Sequence, residues 1–184
     1  MKEGKKVKPN GGLHIKWLLA VLGLSLMPVT SALTVDNIRF HGALVAEPCV
    51  IPPGAEIIQL DFGTVLDKYL YINTRTHGQK FELSLINCDI SLGNSVKVTF
   101  LGEESSALPG LLALSSSSQA AGVAIGIETS KGELLPVNQA SKGNRLVDGN
   151  SSIKLQAYVQ AEPEAIAHKN IQRGSFNSIA TFRS

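Results

Sequence analysis

The sequence predicts an all-β protein, a single immunoglobulin-like sandwich of short antiparallel strands, and three observations support that class. Apolar and polar residues alternate in several segments, turn residues separate those segments, and no long stretch after the leader keeps a helical period. The alternating segments are centred on residues 81–85, 96–100, 123–127, 153–159 and 176–182. The length suits one domain, and the buried Trp of antibody domains is missing, since the only Trp is in the leader.

Residues rich in Gly, Pro and Asn separate the predicted strands and mark turns. These turns fall at 52–54, 76–78, 92–94, 131–132, 142–144 and 148–150. Residues 161–171 have room for one or two helical turns. The run of four serines at 115–118 predicts a short solvated loop.

The first 32 residues predict a secretion signal. Five lysines precede the apolar run 17–27, which is too short to span a bilayer as a mature helix. Thr30, Ser31 and Ala32 then supply the small residues that a signal peptidase recognises, so we expect cleavage after Ala32. A buried amino-terminal helix and a retained membrane anchor are the alternatives.

Removal of this leader changes the charge of the chain. The whole sequence has 17 Lys and Arg, 15 Asp and Glu, and a net charge of +2. Residues 1–32 contain five of the basic residues and one acidic residue, so the mature part retains 12 and 14 and is near −2. It has no concentrated basic stripe, which argues against nucleic acid as a partner.

The two cysteines, Cys49 and Cys88, predict one disulfide, because paired cysteines in an exported chain meet an oxidising compartment. Two free thiols are the alternative. The sequence has no CxxC motif and its mature histidines are scattered, so we expect neither a metal site nor a cofactor.

No catalytic constellation can be assembled from the mature sequence. His41, His77 and His168 lie in no metal-binding or triad-like motif, and residues 103–104 are adjacent carboxylates in a predicted loop. We therefore expect a protein that is not an enzyme. Gly126 has no phosphate-loop context, so we expect it to relieve crowding in a strand.

The segment that follows the leader predicts a strand with one apolar face. In residues 35–48 the side chains of Ile38, Phe40, Gly42 and Leu44 lie on the same face, because side chains alternate along a strand. Such a strand can insert its apolar edge into a groove.

Several segments, in this order, resemble the chaperone–usher pilin family, and most closely the minor or adaptor subunits of P pili. The resemblance is carried by residues 38–42, 48–50, 87–88, 103–110, 156–159 and 161–165. It covers nearly the whole mature chain. No single segment is very specific, but their order makes the set strong.

The resemblance implies an immunoglobulin-like sandwich that lacks its last strand and is completed by donor-strand complementation. Residues 33–48 would be the donor-strand extension and residues 49–184 the pilin domain. The implied partners are a periplasmic pilus chaperone, an outer-membrane usher and neighbouring pilin subunits. The chain would pass through the periplasm to a cell-surface fimbrium.

The same resemblance assigns roles to two sets of residues. In the donor strand, Ile38, Phe40 and Leu44 would insert into a neighbour, and Gly42 would permit close approach, with a β-bulge as the alternative. The carboxy-terminal strand that borders the groove would present Phe176, Ser178, Ala180 and Phe182, with ordinary core packing as the alternative.

The resulting hypothesis is a structural minor subunit of a tip fibrillum or an adaptor, which polymerises by donor-strand exchange and supports cell adhesion. A rod pilin and a sugar-binding tip adhesin are the alternatives. The adhesin is disfavoured, because the chain is short for two domains and has a donor extension. The chain ends at Ser184 without the family's penultimate Tyr, which predicts weakened chaperone docking.

Overall fold

A computed structural model describes residues 41–42, 44 and 46–183 of this chain. The chain divides into two units, Met1–Ala43 and Leu44–Ser184, and the fold belongs to the second. The predicted signal and the predicted donor residues Ile38 and Phe40 lie outside the described residues.

The described part of the chain contains seven strands and two short helices. The strands are β1 (Gln79–Cys88), β2 (Ser95–Val96), β3 (Thr99–Leu101), β4 (Val123–Thr129), β5 (Asn144–Arg145), β6 (Gly149–Ala161) and β7 (Thr181–Arg183). The helices are α1 (Asp67–Asn73) and α2 (Pro163–Ala167). Neither of them, nor any other helix in the described ranges, has the length and apolar character needed to cross a bilayer.

A three-stranded antiparallel sheet in the order β1-β6-β4 forms the continuous half of the sandwich. Its register places Phe81 opposite Leu155 and Ile125 opposite Val159. The facing layer is built from two shorter antiparallel pairs, β2 with β5 and β3 with β7. The all-β prediction is therefore confirmed, and the second layer is much less continuous than the first.

The main core lies between these layers. Its buried side chains come from the inner face of the central sheet and from the segments that cover it: Leu83, Leu85, Val98, Phe100, Leu112, Ile125, Ile127, Val137, Leu146, Ile153, Leu155 and Ala157. Burial alternates along β1 and along the middle of β6, as the period of two predicts.

Strand β4 differs from this pattern, because it is buried on both faces. Leu108 and Leu111 pack with Ala124 and Tyr158 on the outer face of the sheet. A Cβ atom on Gly126 would lie 2.2 Å from the ring of Tyr158, so this glycine leaves the space that the ring occupies. The expectation that Gly126 relieves crowding is confirmed.

A buried carboxylate on the outer face of the sheet connects three parts of the chain. Glu128 is 1% exposed and accepts hydrogen bonds from Arg75 at 2.8 and 3.2 Å and from Gln156 at 2.7 Å. The Arg75 guanidinium also stacks 4.1 Å from the ring centre of Tyr158. Hydrogen bonding to Glu128 raises the pKa of Arg75, and burial raises the pKa of Tyr158.

Two local features differ from the sequence expectations. Helix α1 was not predicted, because only Leu70 of its seven residues is buried and no helical period appears. Of the predicted last strand at 176–182, only Thr181 and Phe182 fall within β7; the preceding residues are extended but belong to no regular ladder.

Replacement of Glu128 by Gln is expected to lower the free energy of unfolding by about 3 kcal/mol, because it removes the buried anion that pairs with Arg75. Urea denaturation measures this change. Glu133→Gln is the matched control: Glu133 pairs with Lys142 at the surface, and its loss is expected to cost less than about 1 kcal/mol. Equal stability of the two variants would contradict a structural role for the buried carboxylate.

Candidate functional site

An open groove of about 950 Å³ runs along the discontinuous half of the sandwich, between two extended segments, 56–62 and 176–182. At one end the rings of Phe62 and Phe176 approach, with their centres 6.2 Å apart. At the other end Phe182 lies near Ile51 and Ala55. Apolar core residues form the floor: Phe81, Leu83, Phe100, Leu112, Ile125, Ile127 and Ala157. The main core is thus reached directly from the groove.

The first wall of the groove, residues 56–62, was not identified from the sequence. Ile58, Leu60 and Phe62 are half-buried and pack against the core, whereas Gln59 and Asp61 are exposed. This alternation is the period-two signal of a strand. No backbone–backbone hydrogen bond joins residues 57–62 to other described residues.

The second wall contains the four predicted residues of the carboxy-terminal strand. Phe176, Ser178, Ala180 and Phe182 are half-buried and line the groove. Between them, Ile179 points outwards and is 78% exposed. The structure brings the four residues together along one edge, and their role in holding an incoming strand stays a prediction.

The second wall is paired on one side only. The amide of Ser115 donates to the carbonyl of Asn177 at 2.9 Å, and the amide of Gln119 donates to that of Ser175 at 2.8 Å. Successive residues of an extended strand direct their backbone groups to opposite sides, so those of the even-numbered residues face the groove. Among the described residues, the backbone groups of Phe176, Ser178 and Ala180 have no backbone partner.

The serine run anchors this wall, although the sequence predicted only a solvated loop. The Ser118 hydroxyl accepts from the Asn177 amide at 3.0 Å and donates to the Asn177 carbonyl at 3.1 Å. The Ser178 hydroxyl donates to the carbonyl of Ala113 at 2.6 Å. The Ser118 bonds hold Asn177 on the side away from the groove, and the third bond fixes the groove-lining side chain of Ser178.

The disulfide anchors the chain where it enters the first wall. Cys49 and Cys88 are bonded, which confirms the predicted pair, and they fasten this entry to the end of β1. Val50 and Ile86 exchange two backbone hydrogen bonds, both of 2.8 Å. The two walls are therefore held by different parts of the fold.

Two of the four predicted donor residues, Ile38 and Phe40, lie outside the described part of the chain. Of the four, Gly42 and Leu44 are described, and both are exposed. The donor role of all four stays a prediction. The described residues contain no group of three or more His, Cys, Asp and Glu side chains arranged to hold a metal ion.

Comparison with known proteins gives a consistent result. A family model described as "Fimbrial protein" matches residues 38–183. The major MR/P fimbria protein of Proteus mirabilis is 31% identical over 176 residues, which cover 92% of this chain and 97% of that protein. The fimbrial adapter PapK of Escherichia coli is 31% identical over 153 residues, which cover 80% of this chain and 85% of PapK.

Among solved structures, the crystal structure of the P pilus rod subunit PapA has a similar fold. The TM-score is 0.64 at 22% sequence identity, and the match covers 74% of this chain and 97% of PapA. The incomplete immunoglobulin-like fold of pilins accounts for the groove as the place of the missing strand. With its structural, non-enzymatic relatives and a family match over residues 38–183, this chain belongs to the fimbrial protein family and is a subunit of a chaperone–usher fimbria, exported to the cell surface.

Proposed function

We propose that this protein is a minor, adaptor-type structural subunit that accepts a β-strand in its groove and gives its own residues 33–48 to a neighbouring subunit. The observation that carries the proposal is the groove itself, in which two walls with unpaired backbone groups stand beside an apolar floor. Strand addition satisfies both features, because backbone hydrogen bonds give affinity and alternate side chains fill the floor.

The two walls run in opposite directions, so an inserted strand is antiparallel to one wall and parallel to the other. In the proposed arrangement the new strand runs antiparallel to residues 176–182 and parallel to residues 56–62. Its amino end would then lie beside Phe182 and its carboxyl end beside Phe176. Residues 56–62 run from the Phe182 end of the groove to the Phe176 end, because Phe62 contacts Phe176.

The extension has the composition that such a slot requires. Ile38, Phe40 and Leu44 would direct apolar side chains to the floor, and Gly42 would pass where a side chain has no room. Arg39 would point to solvent. Leu44 is fully exposed in the single chain, and burial of a side chain of this size is worth about 1.5–3 kcal/mol.

The open groove would have to be covered by temporary partners before assembly. An unpaired edge beside exposed core residues is an aggregation hazard. A periplasmic chaperone would cover the groove with one of its own strands during export. The extension of a neighbouring subunit would replace that strand at the outer-membrane usher.

The position in the fimbrium is the finer part of the proposal. Residues 103–110 and 161–165 resemble minor subunits of P pili, and the similarity to PapK supports an adaptor. A rod subunit is the second candidate, favoured by the match to the major MR/P fimbria protein over 92% of this chain.

The donor face of the extension is tested with a labelled peptide of residues 33–48 titrated onto the full chain. Phe40→Ser in the peptide is expected to weaken binding at least about tenfold, because it removes a large apolar side chain from the floor. His41→Ser, on the opposite face, is the matched control and is expected to change binding less than about twofold. Equal effects of the two substitutions would contradict insertion of this face.

The acceptor wall is tested by neighbouring substitutions in the full chain. Ala180→Leu is expected to weaken binding of the same peptide at least about tenfold, because added methylene groups occupy space in the groove and overpacking is destabilising. Ile179→Leu changes the adjacent outward side chain and is expected to leave affinity unchanged. Unimpaired binding to the Ala180→Leu variant would exclude this wall as the acceptor.

The position of the subunit is tested by immunogold electron microscopy of fimbriae with an epitope tag on this chain. An adaptor is expected to give one or a few gold particles per fimbrium, confined to the tip or to a junction. Continuous labelling of the shaft would contradict the minor position and support the rod candidate.

A further inference from the structure

We propose that a polar cavity beside α1, separate from the groove, binds a neutral sugar by its hydroxyl groups. The cavity has a volume of about 510 Å³, and its lining includes Tyr69, Asn73, Arg75, His77, Gly78 and Gln156. It shares no lining residue with the groove. The proposed site is therefore independent of strand exchange, and the two can be tested separately.

Three parts of the fold bring these side chains together. Tyr69 and Asn73 are four positions apart in α1 and so lie on the same side of the helix. Arg75 and His77 follow in the segment that joins α1 to β1, and Gln156 comes from the outer face of β6. The cavity thus lies where the helix, the joining segment and the central sheet meet.

Hydrogen bonds fix the joining segment to β6. The amide of Thr76 donates to the carbonyl of Val159 at 2.9 Å, and the Thr76 hydroxyl accepts from the amide of Val159 at 3.0 Å. The amide of Ala161 donates to the carbonyl of Thr74 at 2.9 Å. The polar side chains are therefore carried by a rigid support, which a specific site requires.

The buried carboxylate of Glu128 holds two of the lining side chains from behind. It accepts hydrogen bonds from Arg75 and from Gln156, and the guanidinium lies against the ring of Tyr158. A Cβ atom on Gly78 would lie 2.7 Å from the amide carbon of Gln156, so the glycine leaves space for that amide. Polar groups that are positioned in advance reduce the ordering cost of binding.

The fixed side chains keep hydrogen-bonding groups for a ligand. Glu128 uses two of the five N–H groups of Arg75, whose side chain is 41% exposed. Among the described residues, the side-chain carbonyl oxygens of Gln156 and Asn73 have no partner. The cavity therefore offers both donors and acceptors, and a hydroxyl group can pair with either.

The charge of the site favours a neutral ligand. Among the described residues that line the cavity, Arg75 is the only Lys, Arg, Asp or Glu, and Glu128 behind it balances its charge. Lys80 lies opposite Gln156 in the ladder, outside the lining, and Glu82 follows it two residues along the same strand. An anion would meet a guanidinium that is already paired, whereas hydroxyl groups use its remaining N–H groups.

The remaining features of the cavity distinguish a sugar from a peptide. The ring of Tyr69 is half-buried, and its hydroxyl is 3.0 Å from Nε2 of His77. An aromatic ring packs against the C–H face of a pyranose, whose hydroxyl groups then point to the polar side chains. At Gln156 the sheet has no free edge, because β6 is paired there with both β1 and β4, so an extended peptide has no strand to join.

The site is tested by saturation-transfer difference NMR on the purified full chain, with the methyl glycosides of glucose, galactose and mannose as probes. At least one of them is expected to bind saturably, with a dissociation constant on the order of 1 mM, because so small a ligand binds weakly. Its uronic acid counterpart is expected to bind at least about threefold more weakly, since the site would desolvate a carboxylate without a free cation.

A double variant tests whether the cavity is the place of binding. Asn73→Ala combined with His77→Ala is expected to weaken binding of that glycoside at least about tenfold, because two polar groups leave the lining. Asn170→Ala combined with His168→Ala is the matched control: it changes the same residue types at exposed positions outside the cavity and is expected to bind like wild type. Both variants are expected to keep the urea midpoint of wild type.

Absence of saturable binding by all three glycosides would overturn the proposed site while leaving strand exchange intact. Equal losses in the cavity variant and the control variant would also overturn it, as would equal or tighter binding of the uronic acid glycoside. Saturable glycoside binding together with a failed titration of the 33–48 peptide would support the sugar site and contradict strand exchange alone.

Discussion

The row of backbone groups without partners along the groove is the constraint on which the rest of this structure depends. A buried or edge N–H and C=O must be paired or reach water, and an apolar floor must be covered. Water can pair with the backbone of Ser178 or Ala180, but it would leave the apolar floor exposed. An extended peptide would supply both kinds of contact at once, which is the physical basis of the strand addition proposed above.

The two halves of the sandwich meet this constraint differently. In the central sheet, β6 is paired on both sides, and β4 is covered on both faces, with Leu108 and Leu111 packed against its outer side. The other half consists of short pairs and of walls whose backbone groups toward the groove have no partner among the described residues. The disulfide, the serine loop and the ion pair of Arg173 with Asp67 hold those walls from outside the groove. Regular strand pairing is therefore concentrated in one half, and the groove lies in the other.

The sequence predicted the parts of this arrangement that depend on local periodicity. The alternation of apolar and polar residues located β1, β6 and the wall 176–182. The predicted export of the chain led to the prediction of a disulfide between its two cysteines. The wall 56–62 carries the same signal, but the adjacent Ile57 and Ile58 obscure its alternation. Glu128 could not be identified, because its burial depends on Arg75, which is 53 residues away in the chain. Helix α1 has too few buried residues to show a period.

The groove stays open because nothing in the described chain draws its walls together along their length. Phe62 and Phe176 make contact at one end, but Ser178 and Ala180 are small and leave space above the floor between them and the first wall. Each wall is also fixed to a different element, so closure would break the hydrogen bonds of Asn177 or of Val50. A slot formed in advance reduces the ordering cost of binding to that of the incoming strand alone. If the groove accepts a strand as proposed, the anchors that keep the walls apart would also increase its affinity for that strand.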